Sequence, residues 1–170
     1  MTHHARVWYN DTMTAIVKEF LPGQDEFMQS VDDELMYSGA FGAGKSRIGC
    51  EKGQFLSLKY RNNYGGIFRK RFNDLKFSTM EVFFRDVIPA GMVQGTDWWY
   101  NTTDNIFTYK NGSRIIFRGL DDPGKIASME LGWAFVDEAT EVTEEDWDMI
   151  QGRLRLKATP FWQIYGATNP

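Results

Sequence analysis

Residues 39–46 read Gly-Ala-Phe-Gly-Ala-Gly-Lys-Ser and match the phosphate-binding pattern G-x-x-x-x-G-K-[ST] without a gap. Glycines in such a loop allow backbone N–H groups to close around a polyphosphate, at the positive end of the following helix. Lys45 is then expected to reach the β- and γ-phosphates and the Ser46 hydroxyl to bind Mg²⁺. An ordinary glycine-rich turn between a strand and a helix is the simpler alternative. The predicted nucleotide-binding residues are Gly39, Ala40, Phe41, Gly42, Ala43, Gly44, Lys45 and Ser46.

Two acids follow a short apolar run about ninety residues later. Residues 133–136 are Trp-Ala-Phe-Val, and Asp137 and Glu138 come next. A buried strand that ends in this way delivers carboxylates to the sheet edge where a phosphate loop lies. Asp137 is expected to hold Mg²⁺ mostly through water, and Glu138 to act as the general base for an attacking water. Acids also commonly cap strand ends, but after a phosphate loop the pair favours an ATPase over a small-molecule kinase.

A third candidate position lies near the end of the chain. Residues 166–169 are Gly-Ala-Thr-Asn and close another apolar run. Thr168 or Asn169 could bind the γ-phosphate or the attacking water and couple its state to a moving part. An ordinary turn before Pro170 fits the composition equally well.

Phosphoryl transfer also calls for an arginine that neutralises transition-state charge, supplied by the same chain or by a neighbouring subunit. The sequence does not choose among several candidates. These are Arg69, Arg71, Arg118, Arg153 and Arg155.

The elements that would position these residues alternate between strand and helix. Apolar runs predict strands at 35–38, 67–69, 133–136 and 162–165, and helical periodicity or capping signals predict helices at 25–31, 45–58, 73–86 and from 143 onward. Asn111-Gly112 between residues 106–109 and 114–117 predicts a hairpin. This order predicts an α/β fold with a mainly parallel sheet and one inserted antiparallel hairpin. Residues 1–19 are weakly patterned, and we expect an N-terminal lead-in.

Composition is that of an ordinary globular protein of 170 residues, with a net charge of -4. The single cysteine, Cys50, excludes an internal disulfide, and the absence of an apolar run near 18 residues predicts an intracellular, soluble protein with no membrane partner. Charge is uneven: residues 59–76 contain six bases and one acid, whereas 137–148 contain seven acids and no base. The basic run predicts either a local DNA-binding face or a solvated surface.

Taken together, these residues resemble the N-terminal ATPase domain of the large terminase subunit of tailed bacteriophages, over about residues 20–170. Leu-Pro-Gly-Gln24 is similar to the adenine-recognition segment, Phe68-Arg-Lys-Arg71 to the strand after the phosphate loop, and residues 167–170 to the coupling motif. Residues 111–125 together with Arg153-Leu-Arg155 are the most particular to this family. The resemblance implies a three-layer P-loop fold of the ASCE type, in which an additional strand and a catalytic glutamate accompany the phosphate loop.

The resemblance also implies partners and a setting. It implies that ATP and Mg²⁺ are the cofactors and that hydrolysis drives double-stranded DNA into a prohead in the host cytoplasm. The partners would be the portal protein, the small terminase subunit and further copies in a ring. The last strands of the ATPase sheet and a nuclease domain would follow Pro170. In some members a trans-acting arginine precedes the Mg²⁺-binding strand. Here the corresponding residues 124–131 contain Lys125 and no arginine, which leaves Arg118 and Arg69 as candidates.

Two other functions fit the same motifs. One is a helicase-like or recombinase-like motor, which exposed aromatic side chains on single-stranded DNA would favour. The other is a nucleotide-binding switch without turnover, against which Glu138 counts because a pure binder needs no general base.

Overall fold

The computed structural model describes residues 3–9, 15–40, 42 and 44–169. Phe41, Ala43 and Pro170, which belong to two of the predicted motifs, lie outside these residues. The strands are β1 His4–Tyr9, β2 Ala15–Phe20, β3 Glu34–Ser38, β4 Tyr64–Arg69, β5 Trp98–Asn101, β6 Ile106–Tyr109, β7 Arg114–Gly119, β8 Trp133–Val136 and β9 Gln163–Thr168. The α-helices are α1 Pro22–Gln29, α2 Lys45–Lys59, α3 Phe72–Lys76, α4 Thr79–Val82 and α5 Glu144–Gln151. Shorter turns are a π-turn at Phe83–Val87 and 3₁₀ turns at Pro123–Lys125 and Ala139–Glu141.

The main sheet has seven strands in the order β3-β9-β8-β4-β7-β6-β5. The first five run parallel, and β6 and β5 continue the sheet in antiparallel fashion. The predicted α/β class and inserted hairpin are therefore confirmed. Strand β9 lies between the strand that precedes the phosphate loop and the strand that precedes Asp137, which is the additional-strand arrangement expected of the ASCE type.

The sheet carries helices on both faces, and alternate residues of β8 serve the two layers. Trp133 and Phe135 point into a core shared with α1, α2 and the π-turn, whereas Ala134 and Val136 join a second core with Ile150 of α5. Burial on both faces explains why residues 133–136 read as a continuous apolar run.

Two glycines allow α2 and β4 to approach the aromatic residues of β8. A Cβ added at Gly49 of α2 would lie 2.1 Å from Cζ of Phe135. A Cβ added at Gly65 of β4 would lie 1.8 Å from Cε2 of Trp133. Strand β4 begins at Tyr64, before the predicted residue 67, because Gly65 and Gly66 pair with β7 and β8.

The N-terminal lead-in has secondary structure that its weak pattern did not predict, because its described residues form a two-stranded antiparallel sheet from β1 and β2. On β1, Nε and a terminal nitrogen of Arg6 donate to the two oxygens of Asp25 in α1, at 2.6 and 2.7 Å. On β2, Lys18, which lies opposite Arg6 in the ladder, donates from Nζ to the buried Glu51 of α2 at 2.7 Å. Contacts of single, widely spaced residues leave no periodic pattern in the sequence.

The prediction of a single helix over residues 73–86 is wrong. The chain forms α3, breaks at Phe77–Ser78, and continues as α4 and the π-turn. Ser78 Oγ donates to the carbonyl of Asp74 at 2.6 Å, and the Ser78 backbone has φ −136° and ψ −83°. The side-chain hydrogen bond competes with the helical pattern and stabilises the break.

The predicted 106–117 hairpin is present, and only one residue of its Asn-Gly pair has a left-handed backbone. Gly112 has φ +85°, whereas Asn111 keeps a negative φ. The buried Asn111 instead donates from Nδ2 to the carbonyl of Ser57, at 2.9 Å, and accepts from the N–H of Ser113. Asn111 thus attaches the hairpin to the end of α2.

Among the described residues, no helix is long and apolar enough to cross a membrane.

Candidate nucleotide-binding and hydrolysis site

The described part of the phosphate loop joins β3 to α2 through two glycines in the left-handed region. Gly42 has φ +81°, and Gly44, which caps the N-terminus of α2, has φ +69°. Side chains with a Cβ rarely adopt these values, which explains the glycines at both positions. The carbonyl of Gly44 accepts the first bond of the helix, from the N–H of Ile48 at 2.9 Å. The open N–H groups of α2 therefore face the loop.

Lys45 is largely buried at the start of α2, and its ammonium group folds back over the loop. Nζ donates to the carbonyls of Gly39 at 3.0 Å and Ala40 at 2.9 Å. These neutral acceptors hold the cation at the mouth of the loop, where phosphate oxygens would replace them. Ser46 follows in the same turn and is half-buried.

Asp137 lies at the carboxyl end of β8 and is only 2% exposed. Its Oδ2 accepts a hydrogen bond from the Thr79 hydroxyl at 2.5 Å, and its Oδ1 accepts from the N–H of Glu138 at 3.1 Å. Its own N–H donates to the carbonyl of Phe68 in β4, at 2.9 Å. Both oxygens are thus oriented before any ligand arrives.

Glu138 has a left-handed backbone, with φ +50°, which is uncommon for a residue with a side chain. This turn separates its carboxylate from that of Asp137, and its Oε2 accepts from Nδ2 of Asn169 at 3.2 Å. Strained backbone of this kind clusters at functional sites.

Strand order brings the two motifs together. The phosphate loop follows β3, Asp137 follows β8, and β9 between them ends at Thr168. Two strand spacings of about 4.8 Å separate β3 from β8, which leaves room for a phosphate chain above β9. The carbonyl of Thr168 accepts from the N–H of Gly39 at 3.4 Å, and its hydroxyl donates to the carbonyl of Asn169 at 3.0 Å. Of the two predicted coupling residues, Asn169 is therefore the one whose side chain reaches Glu138.

Gln24 lies beside the phosphate loop, although about twenty residues separate them in the chain. A cavity of about 280 Å³ opens between α1 and the start of α2. Its lining includes Leu21, Gln24, Gly42, Gly44, Arg47 and Ile48. Gln24 Oε1 accepts from the N–H of Leu21 at 3.1 Å, which fixes the side chain at the N-terminus of α1. No sequence signal marks Arg47, which directly follows the phosphate-loop pattern.

The two candidate arginines differ in their surroundings. Arg69 donates from Nε and a terminal nitrogen to the two oxygens of Glu141, at 3.0 and 2.9 Å, and from its other terminal nitrogen to Ser78 Oγ at 2.9 Å. Its pKa is raised, chiefly by the bond to Glu141, and the pKa of Glu141 is lowered by the same bond. Arg118 is the last residue but one of β7, which lies four strand spacings, or about 19 Å, from β3. It therefore does not lie at the phosphate loop of its own chain.

The predicted basic run is partly neutralised by the acidic run. Besides the Arg69–Glu141 pair, Lys70 Nζ lies 2.6 Å from Oδ2 of Asp146 in α5. The predicted capping box of α5 is present, with Asp146 and Thr143 exchanging hydrogen bonds. The two charge runs thus join β4 to α5, and neither Arg69 nor Lys70 belongs to an open basic face.

The donors fit a magnesium ion. The two side chains expected to hold Mg²⁺ carry hard oxygens, a hydroxyl at Ser46 and a carboxylate at Asp137, and the described residues contain no group of three or more His, Cys, Asp or Glu that could enclose a metal. Mg²⁺ needs no such cage, since it keeps several waters and is shared with substrate phosphates.

Comparison with known proteins assigns the family. The sequence family described as phage terminase large subunit matches residues 33–170. The chain belongs to this family. The PBSX phage terminase large subunit of Bacillus subtilis (strain 168) is 26% identical over 157 residues, which cover 91% of this chain and 35% of that protein. The chain thus spans about a third of that relative's length.

Solved structures show the same fold. The large terminase of a thermophilic bacteriophage is similar with a TM-score of 0.75 and 16% identity, over 90% of this chain and 40% of that one. The complex of the same large terminase with ADP gives a TM-score of 0.72 at 16% identity, over 88% and 38%. The Thermus phage P74-26 large terminase ATPase domain gives 0.64 at 17% identity, over 86% and 64%. The expected terminase ATPase fold is therefore confirmed.

Proposed function

We propose that this terminase chain binds ATP with Mg²⁺ and hydrolyses it, and that the hydrolysis powers translocation of double-stranded viral DNA into a prohead. The observation that carries the proposal is the meeting of Lys45, Asp137 and Glu138 at one edge of the sheet, with β9 between their strands. The ADP complex of the thermophilic phage terminase supports a nucleotide as ligand of this fold.

The residues divide the work as follows. The described loop residues and the N-terminus of α2 would bind the β- and γ-phosphates through backbone N–H groups, with Lys45 neutralising their charge. Ser46 and Asp137 would hold Mg²⁺, which when bound offsets charge on the phosphate oxygens. Glu138 would orient the attacking water and accept its proton. Gln24 would bind the adenine at the cavity beside the loop.

An arginine must complete this site, and the surroundings of the candidates favour a neighbouring subunit. Arg69 is engaged by Glu141 and Ser78 in its own chain, and Arg118 lies about four strands from the loop. We therefore assign Arg118 as the candidate that acts in trans, within a ring assembled on the portal protein with the small terminase subunit. The setting would be the host cytoplasm, with residues 20–170 as the ATPase domain and a nuclease domain beyond it.

Steady-state phosphate release tests this function. The chain, Lys45→Ala and Glu138→Gln are compared over a range of protein concentrations, with and without double-stranded DNA. We expect turnover that requires both residues and rises more steeply than linearly with concentration. Tight ATP binding with equal, negligible turnover in the wild type and Glu138→Gln, in the full-length subunit as well, would indicate a nucleotide switch instead.

A further inference from the structure

The carboxylate of Asp137 is held by a threonine that no motif includes. Thr79 is fully buried at the first residue of α4, and its hydroxyl donates to Oδ2 of Asp137 at 2.5 Å. A hydroxyl–carboxylate bond of this length is of the strong, charge-assisted kind. Since Oδ1 accepts from the N–H of Glu138, each oxygen has one fixed donor, and the remaining lone pairs have a defined direction.

The break between α3 and α4 places Thr79 there. A continuous helix over 73–86 would carry residue 79 through a regular turn, whereas the break at Ser78 starts α4 at Thr79, whose hydroxyl reaches Asp137 at the end of β8. Ser78 is itself held, since its Oγ accepts from Arg69 and donates to the carbonyl of Asp74. The structure thus uses a helix interruption to bring one hydroxyl to one carboxylate.

A second contact from the same region reaches the turn of Glu138. Arg69 binds Glu141 with two hydrogen bonds, and the N–H of Glu141 donates to the carbonyl of Glu138 at 2.8 Å. Thr79 therefore fixes the carboxylate of Asp137, while Arg69 fixes the turn that follows it. Both Thr79 and Asp137 are buried, so water does not substitute readily for the hydroxyl.

We propose that Thr79 is a positioning residue: its hydroxyl sets the direction in which the Asp137 carboxylate faces the Mg²⁺ of the nucleotide. The inference rests on the proposed function. Outer contacts that orient a metal-binding side chain change metal affinity by about 10- to 100-fold when they are removed. The specific consequence is a defect in magnesium dependence rather than in nucleotide binding as such.

The test compares the wild type, Thr79→Val, Thr79→Ala and Thr79→Ser in binding of a fluorescent ATP analogue, with Mg²⁺ titrated and with EDTA present. Val keeps the shape and removes the hydroxyl, whereas Ser keeps the hydroxyl and removes the methyl. We expect Thr79→Val to raise the half-saturating Mg²⁺ concentration by at least about tenfold, with affinity in EDTA within about twofold of wild type. Thr79→Ser is expected to stay within about threefold of the wild type.

Melting temperature, measured in parallel, separates folding from positioning. If Thr79→Val does not fold, the test becomes the comparison of Thr79→Ala with Thr79→Ser. Both variants lack the methyl group and only Thr79→Ser keeps the hydroxyl, so the half-saturating Mg²⁺ concentration should be raised in Thr79→Ala alone. Unchanged magnesium dependence in the variants without the hydroxyl overturns the proposal, whatever happens to the melting temperature. Absence of magnesium-dependent binding in the wild type would contradict the proposed function itself.

Discussion

The side-chain amide of Asn169 donates a hydrogen bond to Oε2 of Glu138, with 3.2 Å between the two heavy atoms. Asn169 follows β9 directly, and the preceding carbonyl, that of Thr168, accepts from Gly39 at the start of the phosphate loop. The end of one strand thus contacts both the proposed general base and the phosphate loop. Thr168 and Asn169, which are adjacent in the chain, therefore connect the phosphate loop to Glu138.

Asn169→Ala removes the donor that orients Glu138. We expect turnover to fall by about tenfold, since a misplaced base loses part of a contribution of roughly 10²–10⁴. Affinity for ATP should stay within about twofold, because the phosphate loop is intact. Steady-state kinetics beside equilibrium nucleotide binding measure the two effects. Equal turnover in the wild type and Asn169→Ala would show that Glu138 is oriented without this contact.

Lys45→Ala tests the phosphate loop. The ammonium group now held by the carbonyls of Gly39 and Ala40 would be lost, and with it the charge that opposes the phosphates. We expect ATP affinity to fall by at least about tenfold, or about 1.4 kcal/mol, in isothermal titration. Lys59→Ala, at the exposed far end of the same helix, is the matched control and should bind normally. Comparable affinity in both variants would place the nucleotide elsewhere.

Gly49→Ala tests the packing of α2 on β8. The added methyl group would meet the ring of Phe135 at 2.1 Å, and this ring is fully buried in the core. Overpacking of this kind costs about 1–3 kcal/mol in the free energy of unfolding. Gly91→Ala, whose added Cβ meets no atom within 4 Å, is the control. Urea denaturation measures both, and equal stability of the two variants would contradict the close packing described.

The cluster at Asp25 predicts acid sensitivity of the N-terminal sheet. Hydrogen bonds from Arg6, and then from His4 and Gln29, hold the pKa of Asp25 well below its usual value. A carboxyl group with a lowered folded-state pKa contributes stability that is complete above its unfolded pKa of about 4 and is lost as the pH falls. We therefore expect the wild type to lose stability below about pH 5 more steeply than Asp25→Asn.

Urea unfolding at several pH values measures this slope, and Glu26→Gln, a change at the neighbouring exposed acid, is the control. Parallel pH profiles of the wild type and Asp25→Asn would show that the Asp25 contacts contribute nothing to folding.

The parts of the fold that the sequence predicts well are those set by local chemistry. Gly42 and Gly44 occupy positions whose left-handed backbone favours glycine, and the Thr143 capping box begins α5. Burial on both faces of the sheet makes residues 133–136 continuously apolar. Each of these signals depends on neighbours in the chain. The phosphate loop and the strand before Asp137 were therefore predictable with their elements.

What the sequence could not reveal depends on contacts between distant residues. Thr79 meets Asp137 across 58 positions, and Arg6 meets Asp25 across 19, with no pattern to link them. The apolar spacing over 73–86 is helical on both sides of the break, so periodicity alone predicts one helix. The pairing of the basic and acidic runs likewise required the parallel order of β4 and β8, which places their ends side by side.

The most direct measurement is a crystal structure of the Glu138→Gln chain with ATP and Mg²⁺. We expect the triphosphate on the loop before α2, with Lys45 at the β- and γ-phosphates, the ion beside Ser46 and Asp137, and the adenine next to Gln24. A nucleotide bound elsewhere, or an ion held away from Asp137, would contradict it.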